Sequence, residues 1–348
     1  MIHNFEVKNY RGLKHLKLEN LARVNLFAGK NNVGKTAVLE ALSLQVSKVS
    51  LNMLVNHFIA RGYINSSSKR YSKGLDQHFV FDDLDSIFNI ENPSYLFIGS
   101  NISNLTIKPV FYNSDILVDG ERVEKLVSST DSNALSALQV AIEGESDFLL
   151  KRVISSAYLS SVISDAHCKF ISKEINHNLA AYLFDEIALS AREDAVINGL
   201  NMVVPGIDRV AYTQSSADYR TPRIRLNKRA THLSEMGDGI NRILFILLNL
   251  VNSENGYLFI DEIENGLHYT VQEKLWEIIF KLSKELNVQV FATTHSYDCI
   301  REFAEIANRT KEEDGKLIRL ENRDGTIEAI AYDEEVMQSA TENGIEVR

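Results

Sequence analysis

The chain has 348 residues, 45% of them hydrophobic and 24% charged, with a formal net charge of -10. That length can bury a sizeable core and sets a prior of about two domains, or one with a large insertion, while the acidic balance disfavours a protein that coats nucleic acid through its general field. Two cysteines, Cys168 and Cys299, without CxxC spacing argue against a disulfide framework or a cysteine zinc site, and the longest apolar run, Ile243 to Leu248 extended by Leu250 and Val251, is far short of the roughly 18 residues of a membrane span. No basic-then-apolar signal pattern opens the chain, so the expected location is the cytoplasm.

In chain order, Phe5 to Tyr10 reads as a strand, Arg11-Gly12 as a turn, Leu16 to Leu18 as a second strand, and Val24 to Phe27 as an apolar third. Gly29-Lys30-Asn31-Asn32-Val33-Gly34-Lys35-Thr36 then fits the Gly-x4-Gly-Lys-Thr phosphate loop, between that strand and a helix from Lys35 to Leu44. Gly29 and Gly34 let the backbone curl around phosphate oxygens, and the helix start, including Ala37, aims N–H groups at the anion. The pattern predicts that Lys35 reaches the β- and γ-phosphates of a nucleoside triphosphate and that the Thr36 hydroxyl ligates Mg²⁺.

Residues 51–76 are polar and read as an exposed connection; strand patterns return at His78 to Phe81, Tyr95 to Ile98 and Leu105 to Tyr112. From Glu121 to Asn198 the apolar spacing (Leu149, Val153, Ile154; Ile171, Ile175, Leu179, Tyr182, Leu183) predicts helices, hence a helical arm or lid over 114–199 inserted into a core of 1–50 and 200–348, to which 76–113 adds strands. His167, Cys168 and His177 fall in that arm, where isolated His and Cys are more often packing residues than metal ligands. Arg220, Arg223, Arg225, Lys228 and Arg229 crowd one strand-like segment, which would grip DNA, a nucleotide phosphate or an acidic partner, or else form the solvated face of an edge strand.

Leu233-Ser234-Glu235-Met236-Gly237-Asp238-Gly239 precedes an apolar helix over 240–250; alone it is a helix cap with turn glycines, but it also makes a second anion-binding helix start. Gly256 to Ile260 is an apolar strand ending in Asp261-Glu262, the Walker B arrangement. Asp261 would hold Mg²⁺, and Glu262 would orient or deprotonate the attacking water. Val290 to Thr294 is a further apolar strand, and at its end His295 would face the same crevice and hydrogen-bond the γ-phosphate and the water. A hairpin turning at Asp324-Gly325 and a short acidic helix follow.

Together these segments resemble the ABC-type ATPases of the RecF, structural-maintenance-of-chromosomes (SMC) and OLD (overcoming lysogenization defect) group, also described as AAA-family ATP-binding proteins. Phe5 to Leu13 is similar to the group's N-terminal "NFRGL" strand, which brings Arg11 to the nucleotide; Leu233 to Gly239 stands at the signature, Asp261 to His268 at the Walker B and D-loop, and Thr294-His295-Ser296 at the switch histidine. The resemblance implies an α/β P-loop NTPase with an ABC-type (RecF/SMC-like) head. It also implies a head-to-tail homodimer with two ATP molecules sandwiched, in which Ser234, Gly237 and Gly239 of one subunit meet the γ-phosphate bound at Lys35 of the other. The signature is not the Leu-Ser-Gly-Gly-Gln of transporters, and Gln77 is only a weak Q-loop candidate for Mg²⁺.

The OLD group commonly carries a TOPRIM nuclease after the ATPase, and residues 296–348 are expected to be too few for one. The resemblance then implies an ATP-hydrolysing switch that controls a separate effector, a nuclease or toxin, in bacterial anti-phage defence. A RecF-like repair ATPase that clamps DNA and a non-hydrolysing nucleotide-gated scaffold are the alternatives. Lys35→Ala should remove most nucleotide affinity in calorimetry; unchanged ATP binding would refute the phosphate-loop assignment.

Overall fold

The computed structural model describes residues 1–48, Met53, His57, Arg61, 64–65, 78–81, 84–89, 91–118, 121–151, 153–155, 168–172, 174–216, 219–310 and 314–332. In chain order, β1 (Phe5–Tyr10), β2 (Leu13–Leu18) and β3 (Val24–Ala28) lead into α1 (Lys35–Val46). There follow β4 (Ile64–Asn65), β5 (His78–Phe81), β6 (Leu96–Ser100), β7 (Asn104–Val118), β8 (Glu121–Val127), β9 (Leu135–Ile142), β10 (Phe148–Lys151), β11 (Val153–Ser155) and β12 (Cys168–Ile171). Helices α2 (His177–Asp185) and α3 (Ala191–Val203) precede β13 (Ile207–Ser216), β14 (Tyr219–Leu226) and β15 (Arg229–His232). Then come α4 (Asp238–Val251), β16 (Tyr257–Ile260), α5 (Tyr269–Glu285), β17 (Gln289–Thr294), α6 (Tyr297–Thr310), β18 (Gly315–Arg323) and β19 (Thr326–Tyr332). Among the described residues no helix is long and apolar enough to cross a membrane.

A six-stranded sheet among the described residues runs in the order β12-β16-β17-β3-β18-β19, parallel through β18 and closed by the antiparallel β19. Its central strands are apolar on both faces, as a covered parallel sheet requires: every residue of β3 and β17 is buried. The pleat sorts them between two cores. Val24, Leu26, Leu258, Ile260, Val290 and Ala292 pack with the helical side, whereas Phe27, Phe259 and Phe291 turn to the other. There the phenyl rings form a stacked row, with centroids 6.5 Å apart for Phe27–Phe291, 5.3 Å for Phe259–Phe291 and 6.3 Å for Phe170–Phe259.

Helix α1 is buried from Lys35 through Gln45 except for the half-buried Thr36. It lies between the main sheet and a second sheet of order β10-β9-β7-β6-β1-β2, with β8 on β7. A helix covered all round has no need of a polar face, which explains the near-continuous apolar run of Ala37 to Leu44. Its one buried acid, Glu40, is satisfied by Arg61 (Nε 2.8 Å, Nη2 3.1 Å), by the Tyr10 hydroxyl at 3.1 Å and by Arg11 Nε at 3.4 Å. Burial and the neighbouring carboxylate of Glu40 push the Tyr10 phenol far above its ordinary value.

The expectation of a helical arm over 114–199 is corrected. Within the described part of 121–171 the chain is extended: β8, β9 and β10 enlarge the second sheet, β11 joins β5 and β4 in a small sheet, and β12 is an edge strand of the main sheet. Leu138, Val140 and Ile142 alternate into the core, a period of two that the scattered apolar residues at 149, 153 and 154 obscure. Helices do follow from His177, but Ala180, Leu183, Phe184, Val196 and Leu200 pack into the core on the helical side of the main sheet, so α2 and α3 do not project as an arm. The acidic helix expected after β19 and the residue His167 lie outside the described residues, while Cys168 is buried in β12.

Removing one of the two inner rings of the phenyl row opens a cavity between sheet and α1. Phe291→Ala should lower the unfolding free energy by about 3–5 kcal/mol in urea titration; a loss below about 1 kcal/mol would mean that the row contributes little to the core.

Candidate functional site

The strand order brings the C-terminal ends of β3, β17 and β16 side by side, and each carries a part of the site. After β3, Gly29 (φ 149°) passes so close to β18 that an added Cβ would sit 2.6 Å from the Leu320 carbonyl oxygen. Gly34 (φ 87°) caps α1 without side-chain help, and a Cβ there would meet Ile327 Cδ1 at 2.9 Å. Lys30, Asn31 and Asn32 are exposed at the turn, with Asn32 in the left-handed region at φ 63°, while Val33 and Ala37 anchor it in the core. The first intrahelical bond is Val38 N–H to Gly34 O at 2.9 Å, so the N–H groups of Lys35, Thr36 and Ala37 precede the α1 ladder and suit an anion.

Lys35 is 8% exposed, and its Nζ donates to the carbonyls of Gly29 at 2.7 Å and Lys30 at 2.8 Å. Burial lowers its pKa, against the opposing pull of Glu264, Asp261 and Glu262. Thr36 Oγ1 donates to the Asp261 carboxylate, 3.0 Å from Oδ2 and 3.1 Å from Oδ1. A second hydroxyl, Thr293 Oγ1 on β17, donates to Asp261 Oδ1 at 2.6 Å and accepts the Glu262 N–H at 2.8 Å. Burial raises the Asp261 pKa, and the hydrogen bonds from Thr293 and Thr36 oppose the shift.

Behind this carboxylate lies Arg242 of α4, 2% exposed, which donates to the Asp261 carbonyl at 3.2 Å and the Ser172 carbonyl at 2.7 Å. Burial pulls this guanidinium down to about 10, with Asp261, Glu264 and Glu262 opposing. Glu262 leaves the strand with φ 48°, a left-handed backbone that an ordinary side chain rarely adopts and that concentrates at functional turns. His295, at the end of β17, is 48% exposed, and both its backbone N–H (2.9 Å) and its Nδ1 (3.0 Å) meet Glu264 Oε1.

The structure thus gathers Lys35, Thr36, Asp261 and the Glu264–His295 pair around strand ends, with Glu262 beside them. Ser234 and Gly237 lie on an exposed 3₁₀ turn, and a Cβ on Gly237 would meet nothing within 4 Å. Gly239 opens α4 against the turn after β16: a Cβ on it would sit 3.2 Å from the Gly266 carbonyl oxygen. Arg11 is turned onto α1, its guanidinium 5.4 Å from the Tyr10 ring centroid and its Nε on Glu40. Gln77 lies outside the described residues.

Sequence reasoning missed the roles of Thr293, Arg242 and Glu264. Arg242 did carry a signal, since a lone guanidinium inside Ile240 to Leu250 has to be paired once buried. In the basic segment, Arg220 binds Asp185 (2.5 and 3.0 Å) and Arg225 binds Asp208 (2.6 Å), while Arg223 Nη2 lies 3.1 Å from His232 Nε2.

The family model described as "AAA ATPase domain" matches residues 1–178 and 166–300. An "ATP/GTP phosphatase" of Helicobacter pylori is 24% identical over 361 residues, covering 89% of this chain and 88% of the relative. A protein of Methanocaldococcus jannaschii described as uncharacterized is 36% identical over 115 residues, which is 32% of this chain and 99% of its own. Among solved structures, the SMC head bound to the C-winged helix domain of ScpA superposes with a TM-score of 0.53 at 13% identity, covering 97% of this chain and 99% of that one. The Smc head with an extended coiled coil bound to the C-terminal domain of ScpA, derived from Pyrococcus furiosus, gives 0.51 at 10% identity, covering 98% of each. At such identities the likeness is one of fold, that of a P-loop ATPase head.

Thr293 joins the two acids of the site, so Thr293→Val should cost about 1–3 kcal/mol in denaturant unfolding by leaving the Glu262 N–H without its acceptor and Asp261 Oδ1 with Thr36 as its one hydroxyl donor. Thr293→Ser, which keeps the hydroxyl, should recover most of that loss; equal losses in both variants would assign the effect to packing.

Proposed function

We propose, for a chain that belongs to the AAA ATPase domain family, that it binds and hydrolyses ATP as a molecular switch. The observation that carries this reading is the Thr36–Asp261 pair at 3.0 Å, set between the buried Lys35 and the strained Glu262. The name of the Helicobacter pylori relative, "ATP/GTP phosphatase", supports hydrolysis.

Thr36 Oγ1 and the Asp261 carboxylate are hard oxygen donors on converging elements, a set that fits Mg²⁺ with its other ligands drawn from water and phosphate. The ion, when bound, would neutralise phosphate charge. The chain's own residues do the rest. The N–H groups opening α1 receive phosphate oxygens, and Lys35 exchanges the carbonyls of Gly29 and Lys30 for the β- and γ-phosphates. Glu262 orients the attacking water and takes its proton, and His295 contacts the water beside the γ-phosphate.

Ser234 and Gly237, exposed before α4, are taken to bind the γ-phosphate of a second subunit, with Gly239 at the helix start, so that ATP closes a head-to-tail homodimer and hydrolysis loosens it. The bound ScpA domains of the two SMC heads support a protein partner for this fold. From the resemblance to the OLD group, the partner here is a nuclease or toxin held or released in cytoplasmic anti-phage defence. A DNA clamp has less support, because Arg220 and Arg225 are already engaged by Asp185 and Asp208.

The test is Glu262→Gln. Turnover should fall about 100- to 10,000-fold while ATP still binds, and an ATP-bound dimer should accumulate in size-exclusion light scattering. Unchanged turnover would sink the assignment of Glu262 and favour a non-hydrolysing scaffold.

A further inference from the structure

Glu264 follows Asp261 by three residues in the turn after β16, and its side chain is 10% exposed. One oxygen, Oε1, receives both the backbone N–H and the Nδ1 of His295, at 2.9 and 3.0 Å. A carboxylate oxygen only accepts, so the ring proton belongs on Nδ1 and Nε2 remains the nitrogen that can meet water or substrate. The second oxygen, Oε2, is buried with no hydrogen-bond partner among the described residues. An orphaned carboxylate oxygen costs stability, so packing alone gives no reason for an acid at this position. Its charge also bears on both buried cations of the site, Lys35 and Arg242.

We propose that Glu264 is a positioning residue for His295: by holding Nδ1 and the backbone N–H on one oxygen, it fixes the ring's orientation and tautomer and presents Nε2 as an acceptor to the attacking water. The proposal rests on the ATPase reading above for its function, but its geometric claim stands on the Glu264–His295 contact alone. A neutral histidine in solution favours the proton on Nε2, so the carboxylate has a measurable task.

The experiment is ¹⁵N-histidine NMR of the full chain at about pH 8.5, above the ordinary histidine value, with the His295 signals assigned by difference from His295→Ala. Wild type should carry the proton on Nδ1. Glu264→Leu should move it to Nε2, and Glu264→Gln, whose amide oxygen still accepts, should keep it on Nδ1. In turnover, Glu264→Leu should lower kcat about 10- to 100-fold with the ATP Kd changed less than about threefold. A wild-type ring protonated on Nε2, an unmoved tautomer in Glu264→Leu, or parallel loss of kcat and ATP affinity would overturn the proposal. If Glu264→Leu does not fold, the wild-type and Glu264→Gln spectra decide. A wild type that hydrolyses no ATP would remove the functional reading, while its His295 tautomer would still decide the role of Glu264.

Discussion

The arrangement depends on one buried carboxylate. Asp261 ends β16, yet its oxygens are held by Thr36 at the start of α1 and by Thr293 on β17, while its backbone carbonyl is held by Arg242 from α4. Its N–H reaches Ile171 of β12 at 2.8 Å. One residue therefore ties three parallel strands and two helices at the edge where the phosphate loop opens. A charge so placed is unfavourable in isolation, and the hydroxyl donors with the guanidinium behind it are what make it tolerable.

The two cores serve this edge from opposite faces. On one, Val24, Leu26, Leu258 and Val290 share a core with α4, α5 and α6, against which α2 and α3 pack in turn; on the other, the phenyl row packs toward α1 and the second sheet. Gln289 adds a polar tie at the far end of β17: its amide exchanges hydrogen bonds with the backbone of Ile2 (2.7 Å each way) and donates to Ala22 at 2.8 Å. The N-terminal strands are thereby locked to the strand that ends in His295, fixing the height of the site relative to both sheets.

Much of this was legible in the residues because the information is local. A glycine-bounded loop between a strand and a helix has few conformations, and Asp261-Glu262 and His295 sit where apolar runs stop, so β3, α1, β16 and β17 and their strand-end residues could be placed from pattern alone. The segment 121–171 misled because Leu149, Val153 and Ile154 fit a helical spacing, whereas the deciding alternation, Leu138-Val140-Ile142, is short. Thr293, Arg242 and Glu264 escaped for another reason. Thr293 meets Asp261 32 residues away, Arg242 meets Ser172 70 away, and Glu264 meets His295 31 away. No spacing rule covers contacts that exist only once the sheet order is known.

The burial of α1 has a mechanical consequence. A helix with one wet face can slide or roll by repacking half its surface, but α1 is enclosed by two sheets and anchored midway by the Glu40 cluster. A push at its first turn, where Lys35 and Thr36 sit, has no free surface along which to dissipate. It would pass along α1 as a rigid tilt between the layers, with Glu40 near the pivot and, at the far end, the β6–β7 turn, where Gln45 Nε2 donates to Ser100 Oγ and the Ser103 carbonyl.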